Sequence, residues 1–182
     1  MKRLLFVILC FALLTGCATT NMLRPAQPPA LTANQDSSLL VILRDGWLGS
    51  AIVFCNYLDG KFIGETTGST YFVTQVPPGE HYVVGTTENT AVAYLNFEAG
   101  KRYFLRQGVT MGIWRARTSG FFPVAAGEAQ EIVQKLTYLE LDTTKTFPDM
   151  EPKPYQDAID EYKADVEQNP DSYKEMLEYK GE

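Results

Sequence analysis

The sequence predicts a mainly β protein: an antiparallel β-sandwich with a short packing helix on its C-terminal side, followed by an acidic tail that is helical or partly disordered. Three observations lead there. Between Ser38 and Val124 the apolar and aromatic residues come in short runs separated by turn chemistry roughly every ten residues. Asp59-Gly60 stands between two β-prone runs, a strong short-range hairpin signal. Val92, Tyr94 and Asn96 alternate with Ala93, Leu95 and Phe97, and Tyr103 and Leu105 alternate with Phe104 and Arg106, the period of a strand with two distinct faces.

In chain order, residues 1–16 come first. Lys2 and Arg3 are a short basic stretch, and Leu4 to Leu14 form an unbroken apolar run of 11 residues. That is too short to span a hydrocarbon core, which takes about 20, and its flanks fit a secretory signal. Leu14-Thr15-Gly16-Cys17 resembles the lipobox of bacterial lipoproteins. The resemblance implies a diacylglycerol on the Cys17 thiol, cleavage before Cys17, and an acyl chain (palmitate in many such proteins) on the freed amine. Two or three chains anchor a protein durably, at about 0.8 kcal/mol per buried methylene. Ala18 in place of Asp implies the outer membrane, with the protein facing the periplasm. Residues 17–37 are polar and interrupted by Pro25, Pro28 and Pro29, and read as a flexible tether.

The sandwich is expected over 38–141. Leu39-Leu-Val-Ile-Leu43 ends at Arg44-Asp-Gly46. Ala51 to Leu58 and Lys61 to Glu65 make the hairpin. Tyr71 to Val76 leads through Pro77-Pro-Gly-Glu80 into His81-Tyr-Val-Val84, and Ala91 to Phe97 passes Glu98-Ala-Gly100 into Arg102 to Arg106. Pro78 with Gly79 suits a type II turn. From Gly127 to Tyr138 the period changes: Ile132, Val133, Leu136 and Leu139 follow helical spacing, with Glu128 and Glu131 in the first turn and Lys135 towards the end. Residues 142–182 form the acidic extension. A Thr- and Pro-rich linker precedes two charged, helix-compatible segments, Tyr155 to Gln168 and Asp171 to Lys180, broken by Asn169-Pro170. Their apolar stripes are thin: Tyr155, Ile159 and Tyr162, then Tyr173, Met176 and Leu177. They read as solvated helices, with binding to a partner as the alternative.

Charge follows the same division. Without Lys2 and Arg3 the chain carries 14 basic and 22 acidic residues, net −8, of which −7 lies from Asp142 onward. Nucleic acid is therefore excluded as a partner, because it requires a basic surface. Cys10 falls in the signal and Cys17 in the lipobox, which leaves Cys55 as a lone thiol whose default reading is a small buried apolar residue.

Several landmarks of the central block together resemble the DUF2846 family, a bacterial domain of unknown function. They are the apolar strand ending in Arg44, the hairpin Val53 to Gly64, the Pro-Pro-Gly-Glu-His run ending at His81, Glu98-Ala-Gly-Lys-Arg-Tyr-Phe104, and the Glu-containing helix over Gly127 to Leu136. Similar strand–Pro-Gly–strand units occur in transthyretin-like sandwiches. The resemblance implies a transthyretin/Ig-like sandwich on a bacterial lipoprotein, and it brings no catalytic residues.

The residues themselves supply no catalytic, cofactor or metal site. His81 is the sole histidine, so no zinc-ligand spacing exists. Neither a nucleophile elbow nor a phosphate-binding loop is present. Trp114, Arg115, Arg117, Phe121 and Phe122 make a candidate contact patch. Arg102, Arg106, Arg115 and Arg117 either form a cationic face or, as the favoured reading, pair with Glu65, Glu88 or Glu98. The function expected is a non-enzymatic, lipid-anchored envelope protein that binds or scaffolds another envelope component. The alternative is an envelope enzyme, or an accessory subunit, with a site in the strand-connecting loops. A third reading is a structural lipoprotein whose tail docks a protein partner.

Overall fold

The computed structural model describes residues 20–112 and 116–182. Nine strands form two sheets. They are β1 (Ser38–Arg44), β2 (Phe54–Leu58), β3 (Lys61–Thr66), β4 (Thr70–Val76), β5 (Gly79–Thr86), β6 (Thr90–Phe97), β7 (Arg102–Met111), β8 (Ala116–Pro123) and β9 (Thr137–Tyr138). Sheet one has the order β8-β7-β1-β4-β9 and sheet two the order β3-β2-β5-β6. Helix α1 (Ala126–Val133) lies between β8 and β9, while α2 (Pro152–Gln168) and α3 (Pro170–Glu178) follow.

The expected mainly β, two-sheet architecture is present, and most pairings are antiparallel. Two are not: β1 runs parallel to β7, and β4 runs parallel to β9. The residues of β1 explain its place. Leu40 and Ile42 face sheet two, while Leu39, Val41 and Leu43 face α1, so both sides of the strand are covered. A strand buried on both faces reads as a continuous apolar run, as this one does. The Asp59-Gly60 turn is as its sequence predicts: both residues have positive φ, 50° and 80°, the requirement of a type I′ hairpin. Ala93, Leu95 and Phe97 do point inward and Asn96 outward, and Tyr103 and Leu105 lie in the inter-sheet core, opposite to Phe104.

Between the sheets a buried polar chain joins the apolar core. Thr66 Oγ1 donates to Gln107 Oε1 (2.6 Å), and Gln107 Nε2 donates to Asn56 Oδ1 (3.1 Å). Every group in it has a partner, which is the condition for polar atoms to be tolerated inside a core.

Three expectations change. The helix expected over Gly127 to Tyr138 ends at Val133; Leu136 closes a tight turn on Val133, and Thr137–Tyr138 become β9. This break lets Leu139 enter the inter-sheet core while Leu136 and Tyr138 stay on the α1 side. The tether expected over 17–37 is not free over its described part. Met22 is buried in the core, Leu23 exchanges two backbone bonds with Glu140, and Leu31 and Ala33 pack against the α1 cluster. Residues 1–19, with the signal peptide and Cys17, lie outside the described residues.

The third change concerns the tail. Its two segments are helices, and each packs one face on the sandwich while the rest stays exposed. Ala158, Ile159, Tyr162 and Met176 are buried, and Met176 and Tyr179 join the inter-sheet core. Helices α2 and α3 lie on β6, and α3 also reaches β8. Past α3, the Tyr179 hydroxyl accepts from the Phe104 N–H (3.0 Å) and donates to the Val124 carbonyl (3.3 Å). Glu182 exchanges two backbone bonds with Arg102, and its carboxylate accepts from the Ala126 N–H (2.9 Å) at the start of α1. That helix has no side-chain cap of its own, so Glu182 satisfies one of its orphan donors.

Candidate functional site

One end of the sandwich is built around Arg44. This upper end collects the finish of β1, β3, β5 and β7 and the start of β2, β4, β6 and β8. Arg44 follows six apolar or small residues and is fully buried at the last position of β1. No carboxylate pairs with it among the described residues. Its guanidinium instead donates to the carbonyls of Gly49 and Ile52 (both 2.6 Å) and, more weakly, to those of Leu48 and Thr66 (both 3.4 Å). It also lies 4.0 Å from the centre of the Phe54 ring, a cation–π contact. Burial pulls its pKa down to about 10, which leaves it charged at neutral pH.

The loop of residues 45–53 is wound on this cation. Ser50 N–H donates to Trp47 O (3.0 Å) and Ile52 N–H to Gly49 O (2.8 Å), while Gly68 N–H reaches Ser50 O (3.1 Å). Gly49 has φ of +60°, and a Cβ there would stand 2.2 Å from the Ala116 Cβ, so only glycine lets the loop close on the β7–β8 hairpin. The result is an ordered loop that carries Trp47 outward, 80% exposed, next to a hairpin end on which Met111, paired with Ala116, is 63% exposed.

The predicted patch divides. Trp114 and Arg115 lie outside the described residues, in the segment joining β7 to β8. Arg117 and Phe122 are on the surface, but Phe121 is not: it is buried between the sheets. The cause is a bulge. Gly108 faces Gly120 but Val109 faces Thr118, so Ser119 is an extra residue and the alternation shifts. Thr118 and Phe121 then both point inward, and Phe122 covers the backbone of Gly108 from outside. Of the acidic partners expected for the arginines, Glu65 and Glu98 are engaged by other residues. Arg106 pairs with Asp45 (3.3 Å) and Glu128 (2.6 Å), and Lys101 pairs with Glu98 (3.0 Å). Glu65 accepts from Asn21 instead. Trp47 and Met111 were not indicated by periodicity; the available signal was an aromatic residue set inside the turn chemistry of Asp45-Gly-Trp-Leu-Gly49.

Three other places have chemistry-bearing groups. At the lower end, His81 Nδ1 lies 2.5 Å from Asp59 Oδ2 and its Nε2 lies 3.1 Å from Pro77 O, while Asp59 Oδ1 accepts from the Tyr82 N–H (3.0 Å). This ties the β2–β3 turn to β5. Between the sandwich and the tail runs a groove of about 550 Å³, lined among others by Asn89, Thr118, Glu161, Tyr162, Asp165 and Tyr173. Asn89 clips β8 from the neighbouring turn: its amide donates to Thr118 O (2.9 Å) and accepts from Thr118 N–H (3.0 Å). Asp165 accepts from the Tyr173 hydroxyl and from Asn169, which hold its carboxyl below the usual range. The Cys55 thiol lines a smaller cleft near the upper end, and burial, then the charge of Glu65, push its pKa up. It is a poor nucleophile there. No group of three or more metal-ligating side chains occurs among the described residues, and no described helix is long and apolar enough to cross a membrane.

Comparison with known proteins finds the family described as "Protein of unknown function (DUF2846)" over residues 34–121. An uncharacterized protein of Haemophilus influenzae (strain ATCC 51907 / DSM 11121 / KW20 / Rd) is 30% identical over 131 residues, which cover 68% of this chain and 76% of that protein. No solved structure matches.

Proposed function

The chain belongs to the DUF2846 family, and from that premise we propose a lipid-anchored cell-envelope protein, held at the outer membrane and facing the periplasm, whose sandwich binds or scaffolds without catalysis. The observation that carries the anchor is the sequence Leu14-Thr15-Gly16-Cys17 directly after an apolar run of 11 residues. Support for binding comes from the upper end, where a loop fixed by a buried cation holds Trp47 in solvent. Groups that an enzyme would use are occupied. His81 is held between Asp59 and Pro77, Cys55 is kept as a thiol, and Asp165 is kept as a hydrogen-bonded carboxylate. The enzyme reading would use the groove beside Asp165, a polar site of about 550 Å³.

Mass spectrometry of the chain recovered from membranes should find acyl chains on Cys17. An unmodified, released chain overturns the anchor. In-cell crosslinking and pull-down, compared between the intact chain and Trp47→Ser, should then recover membrane-associated material that depends on Trp47. Indifference to Trp47 would move the binding reading away from the upper end and towards the groove.

A further inference from the structure

The short link between Cys17 and the domain selects the end of the sandwich that meets the membrane. Asn21 is already docked: its backbone N–H donates to Glu65 Oε2 (2.9 Å) and its side-chain amide to Glu65 Oε1 (3.1 Å). Met22, next to it, is buried with its Cε against Gly64 and Phe72. Glu65 is the penultimate residue of β3, one place below Thr66, whose carbonyl accepts from Arg44 at the upper end. From Cys17 to Asn21 are four residue steps, which reach at most about 14 Å when fully extended. The lower end lies farther off than that. At about 3.3 Å per residue, β1 runs about 20 Å from Arg44 at the upper end down to Ser38 at the lower.

We propose that an acyl group on Cys17 holds the upper end against the bilayer, and that Trp47 and Met111 enter its interfacial layer as a second membrane contact. The inference rests on the lipid-anchor reading and names the surface that the upper end binds: a phospholipid interface. The chemistry suits it. Tryptophan combines a large apolar ring with one N–H donor and favours the headgroup level, and methionine is an unbranched apolar chain. Of the carboxylates near the loop, Asp45 is paired with Arg106, and Glu88 is also engaged. Arg117, exposed one position after Ala116, adds a cation beside the apolar pair. Because the Arg44 carbonyl contacts already fix the loop, Trp47 needs no ordering at the surface.

The test uses the full chain with Trp114→Phe, so that Trp47 is the sole tryptophan, purified from membranes and placed in phosphatidylcholine vesicles containing a lipid brominated near the headgroup. Mass spectrometry first establishes whether Cys17 carries acyl chains. With acylated protein, Trp47 emission should shift to the blue and be quenched at least about twofold. A long Gly-Ser insertion after Thr19, which frees the upper end from the anchor without touching the fold, should abolish most of that quenching. Acylated protein whose Trp47 is unquenched, whether left in water or covered by a protein, overturns the inference while the anchor stands. Quenching that survives the insertion undiminished overturns it too, since the short link would not be its cause. An unacylated Cys17 overturns the anchor and this inference together.

Discussion

A guanidinium buried without a carboxylate must find its hydrogen bonds elsewhere, and Arg44 finds them in backbone carbonyls. Arg44→Met keeps the bulk and removes the donors, which leaves the Ile52 carbonyl without its partner and the Gly49 carbonyl with only the Ile52 N–H. It should lower stability by about 2–4 kcal/mol in urea unfolding and open residues 45–53 to proteases. A second residue-scale prediction concerns pH. Burial raises the pKa of Tyr94, Tyr138 and Tyr173 to about 12. The folded state thus keeps protons that the unfolded chain releases near its ordinary tyrosine value of about 10. Stability should be intact below that value and fall as pH climbs from about 10 to 12. Tyrosinate absorbance from these three residues should rise together with the loss of circular dichroism, and their ionising in a still-folded chain near pH ~10 would contradict this. At this scale the alternation of Ala93, Leu95 and Phe97 was legible from sequence. Phe121 was not, because a bulge one place wide reverses the facing of every residue after it.

Among the elements, the tail carries the largest departure from what its residues suggest alone. Its stripe positions were visible, and Ile159, Tyr162 and Met176 are the ones buried. Their destination was not, since a segment of net charge −7 looks solvated when nothing in the sequence marks the open seam it fills. Met176→Ala should cost about 2–4 kcal/mol, as expected for a long side chain lost from a core. Tyr179→Phe, which removes only the hydroxyl shared by Phe104 and Val124, should cost about 1 kcal/mol. Both are measurable by chemical denaturation. Helix α1 teaches a related point: its periodicity ran on to Leu139, yet the chain changes to strand at Thr137 because its later apolar residues serve different layers.

At the scale of the molecule, each sheet edge is attended by some other part of the chain. Asp149 accepts from the Phe62 N–H on β3 and Leu23 pairs beside β9, while Asn89 clips β8 and α2 and α3 lie on β6. Covered edges resist pairing with a second chain. Deleting residues 142–182 should therefore do more than shorten the protein. It should remove cooperative unfolding and produce concentration-dependent association, visible in analytical ultracentrifugation; a well-folded monomer would show that the tail is an accessory. The two-sheet plan was readable because hairpins and alternation are local signals. The parallel pairing of β1 with β7 joins residues some sixty apart and leaves no local mark.

That pairing also bears on timing. The strand Ser38–Arg44 is synthesised early, yet its neighbours are Thr70–Val76 and Arg102–Met111, and Arg102 in turn awaits Glu182. The order of closure thus runs against the order of synthesis. A nascent chain of this kind can pair its most apolar strand with Thr70–Val76 on one side, but the other side stays open until Arg102–Met111 has been made. In that interval one edge of this apolar strand is unpaired, and that edge is what a nascent chain of this topology presents to its surroundings.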